Sequence, residues 1–247
     1  MAKKDTAAKT VAPPVKSGEK KHGKKYRAVA ANVDREKLHT IDEAIELLLQ
    51  TSTTKFDSSV EIHTNLGIDP KHADQIIRGT IALPNGTGKD LRVIAFVDEG
   101  KVSDAKAAGA TEAGAEDLVE KIAKGWMDFD VAVAAPDQMR HLGKIAKTLG
   151  QKGLMPNPKA GTVSPDPAAA ISEIKKGRIE YKNDKQGNTH NLFGKVSFGA
   201  EKLKENLQLI LKTIKDAKPS GVKGTYINNV SVCTAMGPGI KIDPSNI

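Results

Sequence analysis

The sequence predicts an α/β (α+β) chain in which a discontinuous sheet-and-helix domain, residues 26–86 plus 178–247, is interrupted by an inserted α/β block at 87–177. Three observations predict it. Apolar and polar residues alternate at 60–68, the period of a strand with one buried face, and the alternation returns after Gly177. Between these segments lie short continuous apolar runs separated by helical stretches, the pattern of a parallel sheet covered by helices. The changes of texture fall at 84–88 and 175–177, both glycine-containing, as suits paired crossings that could act as a hinge.

Residues 1–25 combine Lys, Ala, Pro, Gly and Ser with almost no large apolar side chains, so burial cannot offset their ordering entropy and a disordered basic tail is expected. The tail reads either as a polyelectrolyte arm that orders on RNA or as a solubilising extension. Thr40 and Glu43 have the spacing of a capping box, and Ile41, Ala44, Ile45, Leu48 and Leu49 form a helical stripe behind it. The strand at 60–68 places Glu61, His63 and Asn65 on one exposed face. A short run at 79–83 precedes the turn-rich 84–88. The inserted block predicts strands at 92–97 and 130–135 and helices at 115–124, near 137–149 and at 166–176. Beyond Gly177, strands are expected in RIEYKND and NLFGKVSF, then a helix over 200–217 with Leu203, Leu207, Ile210, Leu211 and Ile214 on one face, and a last strand at 225–233.

The formal charge of +8 biases the chain toward polyanions, and its distribution says where. Residues 1–27 carry nine basic and two acidic side chains, 28–86 five and nine, 87–177 thirteen of each, and 178–247 eleven and six. The two ends of the chain, not its centre, are therefore expected to meet the polyanion. The single Cys233 excludes an intramolecular disulfide and fits a reducing compartment. No apolar stretch has the length of a signal or a membrane span, so a cytoplasmic protein with no membrane partner is expected.

Enzyme chemistry finds no foothold. A phosphate loop ending at Gly88-Lys89 would need glycine at Leu83 and a hydroxyl residue at Asp90, and a dinucleotide fingerprint starting at Gly86 would need glycine at Leu91. The six histidines show no metal-ligand spacing, and Cys233 has no flanking His or cationic signature of an activated thiol, so no catalytic residue, cofactor or metal is expected. Nucleic-acid features are stronger. The segment 182–188 is a polar turn that can present Lys to phosphate and Asn or Asp to ribose hydroxyls, although the same string serves as a plain hairpin turn. The Gly-rich 234–239 permits close backbone approach to a nucleotide, and Lys55-Phe56 pairs a cation with an aromatic ring.

Assembled, the strings HGKKY at 22–26, KFDSSVEIHTNLGIDP at 55–70, RGTIALPNGTGK at 78–89, GWMDFD at 125–130, GLMPNPKAGTV at 153–163, GRIEYKND at 177–184 and TAMGP at 234–238 resemble the L-one family of ribosomal proteins, from the mobile lateral stalk of the large subunit. The resemblance implies a two-layer discontinuous domain that binds large-subunit ribosomal RNA and an inserted three-layer, Rossmann-like domain that swings on a two-stranded hinge. It implies a protein that is no enzyme, is monomeric off the ribosome and touches other ribosomal components. It also implies assistance to deacylated transfer RNA leaving the exit site and, as in many members, repression of its own operon messenger. The RNA contacts implied are Lys55, Phe56, Ser59 and Glu61, then Lys182, Asp184, Lys185 and His190, then Thr234, Met236 and Gly237. Where the family pattern has Thr before the Met-Gly pair, this chain has Ala235, which removes one hydroxyl or leaves its role to Thr234.

Overall fold

The computed structural model describes residues 22–246. Of the tail expected at 1–25, residues 1–21 lie outside the described residues, and its last two positions, Lys24 and Lys25, instead open helix α1 (Lys24–Ala30), none of which is buried. Helix α2 (Ile41–Gln50) starts at the expected capping box: Thr40 Oγ1 accepts from the Glu43 amide at 3.3 Å, and the Glu43 carboxylate accepts from the Thr40 amide at 3.4 Å. Ala44, Ile45 and Leu48 form its buried stripe.

Strand β1 (Ser59–Leu66) alternates as its sequence does, with Val60, Ile62, Thr64 and Leu66 buried and Ser59, Glu61, His63 and Asn65 half-buried on the other face. After β2 (Arg78–Ala82) come β3 (Val93–Phe96), α3 (Val102–Ala107), β4 (Glu112–Gly114), α4 (Glu116–Ala123), β5 (Val131–Ala134), α5 (Met139–Leu142), α6 (Ala146–Gln151) and α7 (Pro167–Lys175). The chain then returns through β6 (Arg178–Lys182), β7 (Asn188–Lys195), α8 (Gly199–Asp216), β8 (Ile227–Thr234) and β9 (Ile240–Ile242).

Three sheets result. An antiparallel sheet in the order β7-β1-β8-β9 joins the N-terminal strand to the C-terminal ones. Its inner face, with Val60, Ile62, Phe193, Val230 and Val232, packs against α2 and the Leu203, Leu207, Ile210, Leu211 and Ile214 stripe of α8. Each such fully buried aliphatic side chain contributes about 2 kcal/mol of burial. One core therefore fixes two layers, sheet and helices, and leaves the other face of the sheet open. The register against β7 shifts between Val60 and Glu61, a bulge that leaves the fully buried Phe193 without a partner opposite on β1.

The second sheet is the antiparallel pair β2-β6. The third is parallel, in the order β4-β3-β5. Strand β3 is buried along its whole length because both its faces are covered: Ile94 and Phe96 point to a core with Leu118, Ile122, Leu142 and Leu149, while Val93, Ala95 and Val97 point to one with Ala105, Ala170, Ile171 and Ile174. This is the three-layer α/β arrangement expected, within an α/β (α+β) chain. The two crossings lie side by side, with the Leu83 amide donating to the Gly177 carbonyl at 3.3 Å.

Two expectations change. The segment 182–188 is a turn between β6 and β7, but not that of a regular two-stranded hairpin, since β6 ladders with β2 and shares with β7 the isolated Asn183–Thr189 bridge and the bond from Asn191 Nδ2 to the Glu180 carbonyl. NLFGKVSF as a strand shifts N-terminally, because the strand occupies 188–195 and 196–198 form a helical turn into α8. Among the described residues no helix is long and apolar enough to cross a membrane.

Candidate nucleic-acid interface

The open face of the four-stranded sheet carries most of the residues singled out from the sequence. Antiparallel register sets His63 opposite His190 and Ser231, Glu61 opposite Leu192 and Cys233, and Asn65 opposite Asn188 and Asn229. The polar side chains hold one another: His63 Nδ1 lies 2.9 Å from His190 Nδ1, Asn65 Nδ2 donates to Asn188 Oδ1 at 2.7 Å, and Asn228 Nδ2 donates to Asn65 Oδ1 at 3.2 Å. Burial first, and His190 second, push the His63 imidazole below its ordinary pKa, against the pull of Glu61. Burial, with Glu61 adding to it, pushes the Cys233 thiol up, so in the isolated chain it is a thiol and not an activated nucleophile.

At one end of this face the segments carrying Lys55, Phe56 and Ser59 and those carrying Met236 and Gly237 adjoin, because β1 begins where β8 ends. The Ala235 amide donates to the Ser59 carbonyl at 3.0 Å, which ties the two segments. Phe56 and Met236 are 59% and 64% exposed, unusual for such large apolar side chains. Both sit on braced turns. Asp57 accepts from Ser197 Oγ at 2.7 Å and from the Ser197 amide at 3.1 Å, while Thr54 Oγ1 donates to the Phe56 carbonyl at 2.9 Å. Those Ser197 bonds, side chain first, hold the Asp57 carboxyl below the usual carboxylate range. Lys195 Nζ donates to Ser59 Oγ at 3.0 Å, adding a cation that the sequence did not single out. In the other turn the Gly237 amide donates to the Thr234 carbonyl at 2.9 Å.

The remaining candidates lie along the strands and at the far end, roughly 23 Å away for an eight-residue strand. Lys182 and Lys185 are exposed there, and His190 stands between the two ends. Two candidates have structural work instead. Asp184 Oδ1 accepts from the Gln186 and Asn188 amides, each at 2.8 Å, and Oδ2 accepts from Asn188 Nδ2 at 3.2 Å. Those bonds, the Asn188 amide first, lower its pKa, so the carboxylate closes its own turn. Thr234 is 3% exposed, so its side chain does not replace the hydroxyl missing at Ala235. A Cβ on Gly237 would overlap Thr234 Oγ1, which explains glycine at that position.

A half-buried polar sheet face, exposed apolar side chains at its end and flanking lysines together make a surface for stacking and phosphate contact, with no catalytic group built into it. The chain matches the model of the "Ribosomal protein L1p/L10e family" over residues 48–238. It is 53% identical over 224 residues to the large ribosomal subunit protein uL1 of Mycobacteroides abscessus, covering 91% of this chain and 95% of the relative. It is 52% identical over 227 residues to the protein of that name from Kosmotoga olearia, covering 92% and 98%, and 53% identical over 228 residues to that from Thermosipho africanus, again covering 92% and 98%. The chain belongs to the ribosomal protein L1p/L10e family. It is a ribosomal protein, not an enzyme.

Proposed function

We propose that this chain is a structural constituent of the large ribosomal subunit that binds large-subunit ribosomal RNA, at the mobile lateral stalk, through the open sheet face and the turn at 234–237. The names of its relatives support the subunit. The observation that carries the RNA surface is the exposure of Phe56 and Met236, with Lys55, in the two segments that the pairing of β1 and β8 joins. A base stacks on the ring, the thioether packs against ribose or base, and the lysine takes a phosphate. Lys182 and Lys185 position RNA at the far end of the face.

The same reading takes 26–86 plus 178–247 as the RNA-holding domain and 87–177 as a moving insert on the β2-β6 pair, assisting deacylated transfer RNA out of the exit site. The adjacent crossings support a hinge there. The operon messenger binds the same surface as the ribosomal RNA and represses translation by doing so. The protein is cytoplasmic, monomeric off the ribosome and touches other ribosomal components on it.

The test is binding of the full chain to a stalk ribosomal RNA fragment and to a scrambled RNA across a salt series. Met236→Asp sets a carboxylate against phosphate and is expected to weaken the specific complex by more than about tenfold, and Phe56→Ala by the roughly 1–3 kcal/mol of one stacked base. Affinities of both variants within about twofold of the parent would remove this end of the sheet from the interface. Failure of excess ribosomal fragment to displace the messenger would overturn the shared surface.

A further inference from the structure

Along the chain, Glu61, His63 and Cys233 show no ligand spacing, but the β1–β8 register brings them together. Glu61 stands opposite Cys233, with His63 one alternation further along the same face. His63 Nε2 reaches Cys233 Sγ at 3.3 Å and Glu61 Oε2 at 3.8 Å, and one ligand atom from each residue lies within 4.8 Å of the other two. With zinc–ligand bonds of about 2.0–2.3 Å, the ligand atoms of a tetrahedral centre stand about 3.4–3.6 Å apart. The two measured separations bracket that spacing, and the third needs side-chain movement of about 1 Å at most.

The second nitrogen of His63 is set for the role. Its Nδ1 lies 2.9 Å from His190 Nδ1, and His190 Nε2 faces Asp184 Oδ2 at 3.6 Å. With the His190 proton on Nε2, toward the Asp184 carboxylate, His190 Nδ1 accepts and His63 Nδ1–H donates. The lone pair of His63 is then on Nε2, aimed at Cys233 and Glu61. A ligating imidazole is commonly held by a hydrogen bond at its other nitrogen, here to His190, whose far nitrogen faces the Asp184 carboxylate as a charge partner. A thiolate, an imidazole and one carboxylate form a donor set for a borderline-soft ion rather than for Ca2+ or Mg2+.

We propose that Glu61, His63 and Cys233 form a binding site for a thiophilic divalent cation of the Zn2+ type, with His190 and Asp184 holding His63 in the ligating tautomer. All three ligands are half-buried, so the ion enters from solvent and water completes the fourth position. On binding, the Cys233 thiol gives its proton to solvent and coordinates as thiolate. The site shares the open sheet face with the RNA surface but stands on its geometry alone.

The experiment is titration of the reduced, metal-free full chain with Co2+, followed by displacement with Zn2+. Cys233 is the chain's single cysteine, so any thiolate-to-cobalt charge-transfer band reports that residue. The expected result is one Co2+ per chain, with that band, the intense visible absorption of a four-coordinate centre, and stoichiometric displacement by Zn2+. Cys233→Ala removes the band. His63→Gln weakens binding more than about tenfold, and His190→Ala, which alters only the positioning chain, weakens it by about 10–100-fold while the band keeps its wavelength. Circular dichroism of each variant checks that the sheet is intact. Absence of the band, a band unmoved in strength by His63→Gln, or one Co2+ shared by two chains would overturn the site.

Discussion

Replacing Asn206 by leucine tests whether one buried amide ties the crossing at 85–86 to the main core. Asn206 lies on the buried stripe of α8, at a position where the neighbouring turns carry leucine and isoleucine, and it has no exposed surface. Its Nδ2 donates to the Phe193 carbonyl at 2.8 Å and to the Gly86 carbonyl at 3.0 Å, while its Oδ1 accepts from the Asn85 amide at 3.3 Å. One side chain thus joins the bulged part of β7 to the first crossing. Leucine has a similar volume and no polar atom, so Asn206→Leu deletes these three hydrogen bonds and the longer one from Asn85 Nδ2 at 3.5 Å without leaving a large cavity. Each is worth about 1 kcal/mol net, and a carbonyl left buried and unpaired adds about 1–3 kcal/mol. Burial of the new apolar surface returns about 1–2 kcal/mol.

The expected net loss is about 2–5 kcal/mol, read as a fall of roughly 1–2 M in the urea midpoint at unchanged slope. Amide hydrogen exchange supplies the local readout, because the Asn85 N–H loses its acceptor and should exchange faster even under conditions where the chain stays folded. Asn206→Asp keeps an acceptor for Asn85 but loses both donors and buries a carboxylate, so it should be at least as damaging as leucine. A midpoint shift below about 0.3 M for Asn206→Leu, with Asn85 still protected, would refute the reasoning and make the asparagine incidental to the crossing.

Two further perturbations follow from the same contacts. Gly177 has φ +105°, and a Cβ there would overlap the Cα of Gly86 across the crossing, so Gly177→Ala should lower stability by about 2–3 kcal/mol. Gly153→Ala, at φ +71° with open space around it, should show only the left-handed strain of about 1–2 kcal/mol; equal thermal shifts for the two would deny the close approach. The turn's hydrogen bonds hold the Asp184 carboxyl below its ordinary pKa in the folded chain, so between the folded and unfolded pKa values the unfolded chain binds more protons. Its stabilisation is present above the unfolded pKa and lost as pH falls through the folded one. Asp184→Asn should therefore be less stable than the parent at about pH 6, with the gap narrowing toward about pH 3, and a constant gap in melting temperature would contradict the turn-closing role.

The elements legible in the sequence are those whose burial follows their own local pattern. The capping box at Thr40, the alternation of β1 and the leucine-isoleucine stripe of α8 each sit on an element that faces one core, so periodicity and burial coincide. Strand β9 escaped notice because its three residues follow a glycine-rich turn and owe their conformation to pairing with β8. β4 is an edge strand of Glu, Ala and Gly, none of which favours a strand, and it exists through its parallel pairing with β3. In the site, exposed Lys55, Phe56 and Met236 were readable, whereas the meeting of His63, His190 and Cys233 required the register of three strands. The burial of Thr234 was readable too, since it continues the inward alternation of Val230 and Val232 along β8. Asp184 could have been read differently, since Asp two residues before a turn amide marks an Asx turn.

The same contacts bear on where the proposed RNA surface would gain most. Along the middle of the open face the short polar side chains already satisfy one another, in the Asn228–Asn65–Asn188 row and the His63–His190 pair. A nucleotide gains little there, because each new hydrogen bond replaces one already made. At the end near Met236 the balance differs. Phe56 and Met236 are exposed with their backbones held by Asp57–Ser197 and by the turn at 234–237, so RNA covers apolar surface without first ordering the segments that carry it. At the far end Lys182 and Lys185 offer charge on a turn closed by Asp184. On the proposed RNA reading, shape-specific affinity is expected at the Phe56–Met236 end and salt-sensitive positioning at the lysine end, with the sheet between them setting their separation.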